Sequence, residues 1–424
     1  MLCHAASASK MPERPNKVPP PPHRTKPLVN RNVRTVLFVS VLFGASTGIY
    51  EFVLPYYLQE RGLSFQSMGT IFAVAAAGML LVRVVMGRLA DVWGRKLFYN
   101  LSLVGSAAAM WVTPLTGSVA GQAGLKTLRD AMFLTRDTVH PVILYEESRG
   151  QFMSFLGKTR GFEFLFQGGG TVICGLTLAK LGTGGNLRLA AGLLLVSFII
   201  FSFAFRETWR PQERVNRGRL RDLFSLRHLH RNLIVILISN LIFTIGITTG
   251  HSFMMPLFFS QKFGVSRELV SWVMVAHRVT IALPLLLAGA LAVKRLKRVF
   301  MVTLVLEGTI ISASALIPGF WAASGVWLLH DLVGAGVWLP IQNQIIQDYT
   351  RPEERALDMG KILAFSGLGG ILGTWLSGVL AQRNISAPFF VSGLLMIVAA
   401  FVLTALRLEE RQAAEPAETL GERR

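Results

Sequence analysis

Gly87-Arg88-Leu89-Ala90-Asp91-Val92-Trp93-Gly94-Arg95-Lys96 sets two glycines, one acid and three basic residues within ten positions. On either side the chain runs apolar, over 66–87 and over 97–115. A bilayer core of about 30 Å takes roughly 20 residues at a rise of 1.5 Å each, so each flank is long enough to cross one. The stretch reads as a tight polar loop between two membrane spans.

The same window, moved outward, predicts twelve spans: 33–58, 66–87, 97–115, 120–142, 155–180, 187–205, 232–259, 267–290, 299–317, 320–344, 359–381 and 387–406. Composition agrees. Of 424 residues, 52% are hydrophobic and only 16% charged, against about 25% charged in a soluble domain. The 40 glycines fit membrane helices better than soluble ones. Cys3 and Cys174 are too few for a disulfide framework or a zinc cluster. The fold class is therefore an all-α membrane protein. Span four is the most polar, with Lys126, Arg129, Asp130, Arg136, Asp137 and His140 inside it, and topology requires it. With twelve spans, 32 of the 43 Lys and Arg fall on the side holding both termini and 6 on the other. By the positive-inside rule both termini are cytoplasmic. Without span four, the basic linker 206–231 lies outside. The net charge of +19 is then a topology signature, and no nucleic-acid partner is expected. The expected partners are the lipid bilayer and a small-molecule substrate, and the expected form is a multi-pass monomer in the cell (inner) membrane. Residues 1–32 form a basic, Pro-rich tail expected to be disordered. The apolar stretch after it is too long for a signal-peptide h-region.

The chain also repeats itself at an offset of 201–202 residues. Pro55 pairs with Pro256, Gly62-Leu63-Ser64 with Gly264-Val265-Ser266, Gly87 with Gly289, and Arg129-Asp130 with His330-Asp331. This predicts a six-helix half over 33–205, the linker 206–231, a second half over 232–406 and a cytoplasmic tail over 407–424, the two halves related by a pseudo-twofold axis.

On these residues the resemblance is to the major facilitator superfamily. The decad at 87–96 is similar to that family's loop signature, Gly-x-Leu-(Gly/Ala)-Asp-(Arg/Lys)-x-Gly-Arg-(Arg/Lys), departing at Val92. Its second copy keeps Gly289, Lys294, Lys297 and Arg298 but has Val293 where the acid stands. The resemblance implies a cytoplasmic gate built on Gly87, Asp91, Gly94, Arg95 and Lys96, in which Asp91 holds the halves together when the outer side is open. Leu125 to Arg129 also fits the family's span-four pattern of Leu and Arg four apart, which in relatives is linked to proton movement. Met132 and Phe133 replace the Gln-Gly pair that follows there.

Charge inside the membrane marks the candidate site, because each charge costs at least about 2.5–3.5 kcal/mol at the centre of a bilayer. Arg129 and Arg136, like Asp130 and Asp137, are seven apart and so share stripes of one helix. Such stripes must face partners or a water-filled cavity. Burial disfavours a charged carboxylate while a neighbouring Arg favours it, the balance a proton-coupling site needs, and His330 titrates near neutral pH without help. In this superfamily spans one, two, four and five face seven, eight, ten and eleven. Glu51, Arg129, Asp130, Arg136, Asp137, Glu163, Arg278, His330 and Asp331 are accordingly the candidate cavity residues for substrate and proton. Gly168-Gly169-Gly170 is read as close helix packing, since the Gly-Pro pair of drug antiporters is missing.

No phosphate-binding Gly-Lys-Ser/Thr loop and no Cys/His cluster at metal-ligand spacing occurs. No enzyme, metal or cofactor is expected; an ion gradient, of protons by this reading, supplies the energy. The leading expectation is a secondary active transporter of a small solute working by alternating access. Efflux of amphipathic drugs, and a transporter-derived sensor or scaffold without transport, remain as alternatives.

Overall fold

The computed structural model describes residues 30–147, 152–207, 229–287, 295–350 and 355–408. Of the predicted polar segments, 1–29, 208–228 and 409–424 lie outside the described residues, as does the loop 288–294 that contains Gly289. The described residues form thirteen α-helices: α1 Arg31–Glu60, α2 Phe65–Trp93, α3 Arg95–Val112, α4 Val119–Glu147, α5 Phe152–Ala204, α6 Arg231–His251, α7 Met254–Phe263, α8 Arg267–Leu287, α9 Leu296–Leu316, α10 Phe320–Val333, α11 Ala335–Tyr349, α12 Arg355–Arg383 and α13 Ala387–Val402.

These are the twelve spans in a different partition. α5 holds spans five and six in one run that turns at Gly182, whose φ of 64° is open to glycine. Spans seven and ten, expected as single helices, are each broken at mid-depth: α6 ends at His251 and α7 begins at Met254, while α10 ends at Val333 and α11 begins at Ala335. On length and apolarity alone, five of the described helical stretches qualify as membrane-crossing, Phe155–Ala204 among them. Several of the others carry charge that pairs inside the bundle, so composition by itself undercounts them.

The repeat is visible in the backbone. Gly62 and Gly264 both take a positive φ, 75° and 63°, and end the first span of each half. Two residues later Ser64 accepts a hydrogen bond from Ser67 N at 3.1 Å, and Ser266 accepts one from Leu269 N at 3.3 Å. Each half is also closed by an Asn clamp. Asn32 Nδ2 donates to Arg206 O at 2.8 Å while Arg206 N donates to Asn32 Oδ1 at 3.0 Å. Asn232 does the same with Arg407 at 2.8 and 3.0 Å. Each clamp satisfies backbone groups at a helix end that would otherwise lack partners.

Within the first half, α1 packs along α5. Gly44 and Gly48, one turn apart, press on the backbone of Glu163 and Gln167, and Gly170 presses on Ala45. Small residues four apart let helix backbones meet without a hydrophobic driving force, so Gly170 has the packing role read from the sequence. Between halves, α2 packs on α12 and α5 on α8. A Cβ added to Gly69 would lie 2.9 Å from the Cα of Gly378, so α2 and α12 touch backbone to backbone. That contact lies at the end opposite the Asn clamps.

Candidate functional site

A cavity of about 410 Å³ opens between the halves at mid-depth. Its first-half wall comes from α1, α2 and α4, with Tyr50, Glu51, Phe72, Lys126, Arg129 and Asp130; its second-half wall comes from the α6–α7 break and α8, with His251, Met255, His277 and Arg278.

On the first wall Asp130 is held between two cations. Lys126 Nζ donates to its Oδ2 at 2.6 Å and Arg129 Nη1 to its Oδ1 at 3.0 Å. α4 is unbroken here, and Lys126 and Asp130 are four apart, the spacing that brings side chains together on a helix. Arg129 also stacks on aromatic rings, its guanidinium carbon 4.3 Å from the centre of Tyr50 and 5.0 Å from that of Phe133. Its Nε and Nη2 are buried and have no hydrogen-bond partner. A turn of this guanidinium toward the cavity would bring its two idle donors to an acceptor group.

On the opposite wall Arg278 donates to Glu51 Oε2 at 2.6 Å, a link from α8 to α1 across the two halves. Beyond it, at the end opposite the Asn clamps, Arg267 pairs with Glu60 and Tyr56 OH donates to Pro256 O at 3.0 Å, both again between halves. The cavity is thus capped on that side by contacts contributed by both repeats.

His330 and Asp331 stand behind the second wall. Asp331 Oδ2 accepts from His277 Nδ1 at 2.8 Å and from Thr280 Oγ1 at 2.5 Å, while its Oδ1 lies 3.3 Å from His330 Nε2. His330 Nε2 in turn lies 2.8 Å from His251 Nε2. His277 and His251 line the cavity, so the pair at 330–331 reaches it through them.

Arg136, Asp137 and Glu163 do not line this cavity. Arg136 is fully buried toward the clamp end, where it pairs with Glu163, donates to Ser40 Oγ at 3.0 Å and Tyr99 OH at 3.1 Å, and packs 3.8 Å over Phe43. Asp137 pairs with Arg160, which also reaches Glu163 Oε2 at 3.0 Å. Arg136 and Asp137 follow Arg129 and Asp130 by two helical turns, about 10 Å along α4, which carries them out of the cavity wall. In the loop motif, Gly87 and Asp91 fall on α2, and the side chain of Asp91 lies outside those described. Gly94 makes the α2–α3 turn with φ 93°. Arg95 pairs with Glu146, and Lys96 Nζ donates to Phe205 O at 2.8 Å.

Among the cavity residues that escaped the sequence reading are Lys126, His251 and His277. Lys126 was visible as the i–4 neighbour of Asp130. His251 and His277 carry no local pattern, because the cluster they make with His330 draws on three helices; the exclusion of metal ligands rested on spacing along the chain, which is blind to that.

The family model described as Major Facilitator Superfamily matches residues 8–136, 36–329 and 236–423 in overlapping pieces. The Multidrug resistance protein 2 of Bacillus subtilis (strain 168) is 22% identical over 404 residues, covering 86% of this chain and 92% of that protein. The Tetracycline resistance protein, class B, of Escherichia coli is 23% identical over 385 residues, covering 84% and 90%. Among solved structures, the nucleoside transporter NupG (D323A mutant) superposes with a TM-score of 0.77 at 14% identity over 89% of this chain and 99% of its own. The human organic anion transporter MFSD10 does so at 0.62 and 15%, over 89% and 100%.

Proposed function

This chain belongs to the major facilitator superfamily and is a membrane transporter rather than an enzyme, and from that premise we propose that it carries a small solute with an anionic or strongly accepting group together with a proton. The observation that carries the reading is Arg129, buried on the cavity wall with two idle donors beside an Asp that holds its third nitrogen. When Asp130 takes up a proton its grip on Arg129 and Lys126 weakens, and the guanidinium turns to the solute. When the proton leaves, Asp130 recaptures Arg129 and the solute is released. The two ligands therefore bind together and leave together, which is symport. The rings of Tyr50, Phe72 and Phe133 supply faces for the apolar body of the solute.

The basic side of the molecule, where the Asn clamps lie, is by this reading cytoplasmic. Glu60–Arg267, Tyr56–Pro256 and Glu51–Arg278 then close the external side, and the halves rock apart there in the other half of the cycle. The Phe- and Met-containing lining, with Phe52, Phe253, Met79 and Met274, favours a second reading in which amphipathic compounds are expelled, in keeping with the multidrug and tetracycline resistance in the names of the two bacterial relatives.

Proteoliposomes with an internal pH dye, given a panel of organic anions, sugars and amphipathic cations, separate these. An anion-dependent acidification that Arg129→Lys reduces at least tenfold is the expected result. Alkalinisation on addition of cations selects efflux, and silence toward every anion removes the symport reading.

A further inference from the structure

We propose that His251, His277, His330 and Asp331 form a binding site for a divalent transition-metal ion of the zinc class. One ligand atom each of His277, His330 and Asp331 lies within 4.8 Å of the others, and His251 Nε2 is 2.8 Å from His330 Nε2. Three imidazoles and one carboxylate are a ligand set that suits zinc, cobalt or nickel and not magnesium or calcium.

Hydrogen bonding fixes which atoms are free to ligate. His330 Nδ1 faces the carbonyl of Trp327, so Nδ1 carries the hydrogen and Nε2 presents a lone pair. Ligating histidines are oriented in this way, by giving their second N–H to a carbonyl. Asp331 Oδ1, an acceptor, lies 3.3 Å from that nitrogen, and His251 Nε2 lies 2.8 Å from it. A metal ion bound here takes the place of the proton that His251 Nε2 shares with His330 Nε2. Atoms about 2.0–2.2 Å from a tetrahedral ion stand about 3.4 Å apart, close to the His330–Asp331 spacing. The His251–His330 pair, now at hydrogen-bond distance, opens by about half an ångström to match.

A second observation lies in the backbone. α6 ends at His251 and α10 ends at Val333, two residues past Asp331, so both broken spans bring a helix C-terminus to the cluster. The partial negative charge of those ends favours a cation. His251 and His277 line the cavity, which gives the ion its path of entry. Bound there, it ties α6, α8 and α10 into one body.

The test uses full-length protein, stripped of metal and freed of any histidine tag. Cobalt(II) is titrated in while the visible absorption of the ion is followed, with zinc as competitor. The expected result is one equivalent bound with the intense bands of a tetrahedral ion, displaced by zinc. His251→Gln with His330→Gln lowers the affinity at least a hundredfold while eluting as a single monodisperse species. Should that double variant fail to fold, X-ray absorption of the zinc-loaded wild type decides, with imidazole scattering in the first shell expected. Less than one equivalent bound by the wild type, binding unchanged in the folded double variant, or a zinc shell without imidazole overturns the proposal. Solute transport is read separately and fails or survives independently of this result.

Discussion

The two halves carry their polar pair at matching positions and treat it in opposite ways. In the first half, Arg129-Asp130 lies on an unbroken α4, and the residue at the matching offset beyond it is Phe133. In the second, His330-Asp331 is followed by Gly334, and the helix stops there. Likewise Pro55 is absorbed inside α1, whereas near its counterpart Pro256 the span breaks after Gly250-His251-Ser252. A helix that already lacks a hydrogen bond at Pro gives way where glycine adds freedom just before that turn. One half therefore offers fixed charges, neutralised locally, and the other offers imidazoles at helix ends. A duplicated scaffold need not have a duplicated site.

The widest divergence is the ion pair at the clamp end. Arg136 is buried against Glu163, while its counterpart at the matching offset is Val337. Removing one partner of such a pair leaves an unpaired buried charge, at a cost of about 3–5 kcal/mol. Glu163→Gln is expected to lower the detergent melting temperature and yield more than any other single change discussed. Converting the first half toward the second, with Arg136→Val and Glu163→Ala together, recovers at least half of that loss. A double variant no better than the single one refutes the idea that the pair is a dispensable structural unit.

Next comes the contrast between the acids. Asp130→Asn is expected to cut solute-driven proton movement in proteoliposomes at least tenfold, which is at least about 1.4 kcal/mol in the barrier. Asp331→Asn keeps more than half of it. The reverse pattern assigns coupling to the second half and breaks the comparison as drawn.

How much of this was legible in the sequence depends on the range of the interaction involved. The spans and the repeat follow from apolar run length and four landmark pairs, all readable along the chain. The triad Lys126-Arg129-Asp130 is local too, because helical spacing alone brings it together. The breaks in spans seven and ten were half-visible, since Gly250 and Pro256 in one and Gly334 and Pro340 in the other weaken the helix there. The histidine cluster was not visible, because His251, His277 and His330 are joined only by tertiary packing. Nor could composition tell that Arg136, two turns beyond Arg129, leaves the cavity; that depends on where the halves part.

A smaller effect is expected at the break itself. A Cβ at Gly334 would lie 2.5 Å from the carbonyl oxygen of His330 and 2.9 Å from Oε1 of Glu307, whose carboxylate accepts from Trp338 Nε1. Gly334→Ala must shift the backbone at His330 as well as that buried acid, and overpacking of this kind costs about 1–3 kcal/mol. The drop should appear in a thermal melt, together with a weaker hold on cobalt(II), because the backbone that presents His330 and Asp331 moves with it. If Gly334→Ala instead stabilises the protein, the turn is not strained by a side chain and the asymmetry of spans four and ten has another origin.

The smallest change in stability is expected at the contacts that cap the cavity opposite the Asn clamps. Glu60 and Arg267 are each more than a third exposed or close to it, at 42% and 34%, and an exposed pair contributes about 0–1 kcal/mol. Glu60→Gln should leave the melting temperature where it is. The same small energy acts differently on an equilibrium between two open states that are nearly balanced, where up to about 1 kcal/mol shifts the ratio up to about fivefold. A cysteine placed at Met255, in a background without Cys3 and Cys174, should then react several-fold faster with an impermeant thiol reagent added from the external side. High salt should speed the same reaction in the parent that retains Glu60, because it screens the exposed pair. An unchanged rate in both experiments places the closure elsewhere, on the backbone contact of Gly69 with Gly378, where charge has no part.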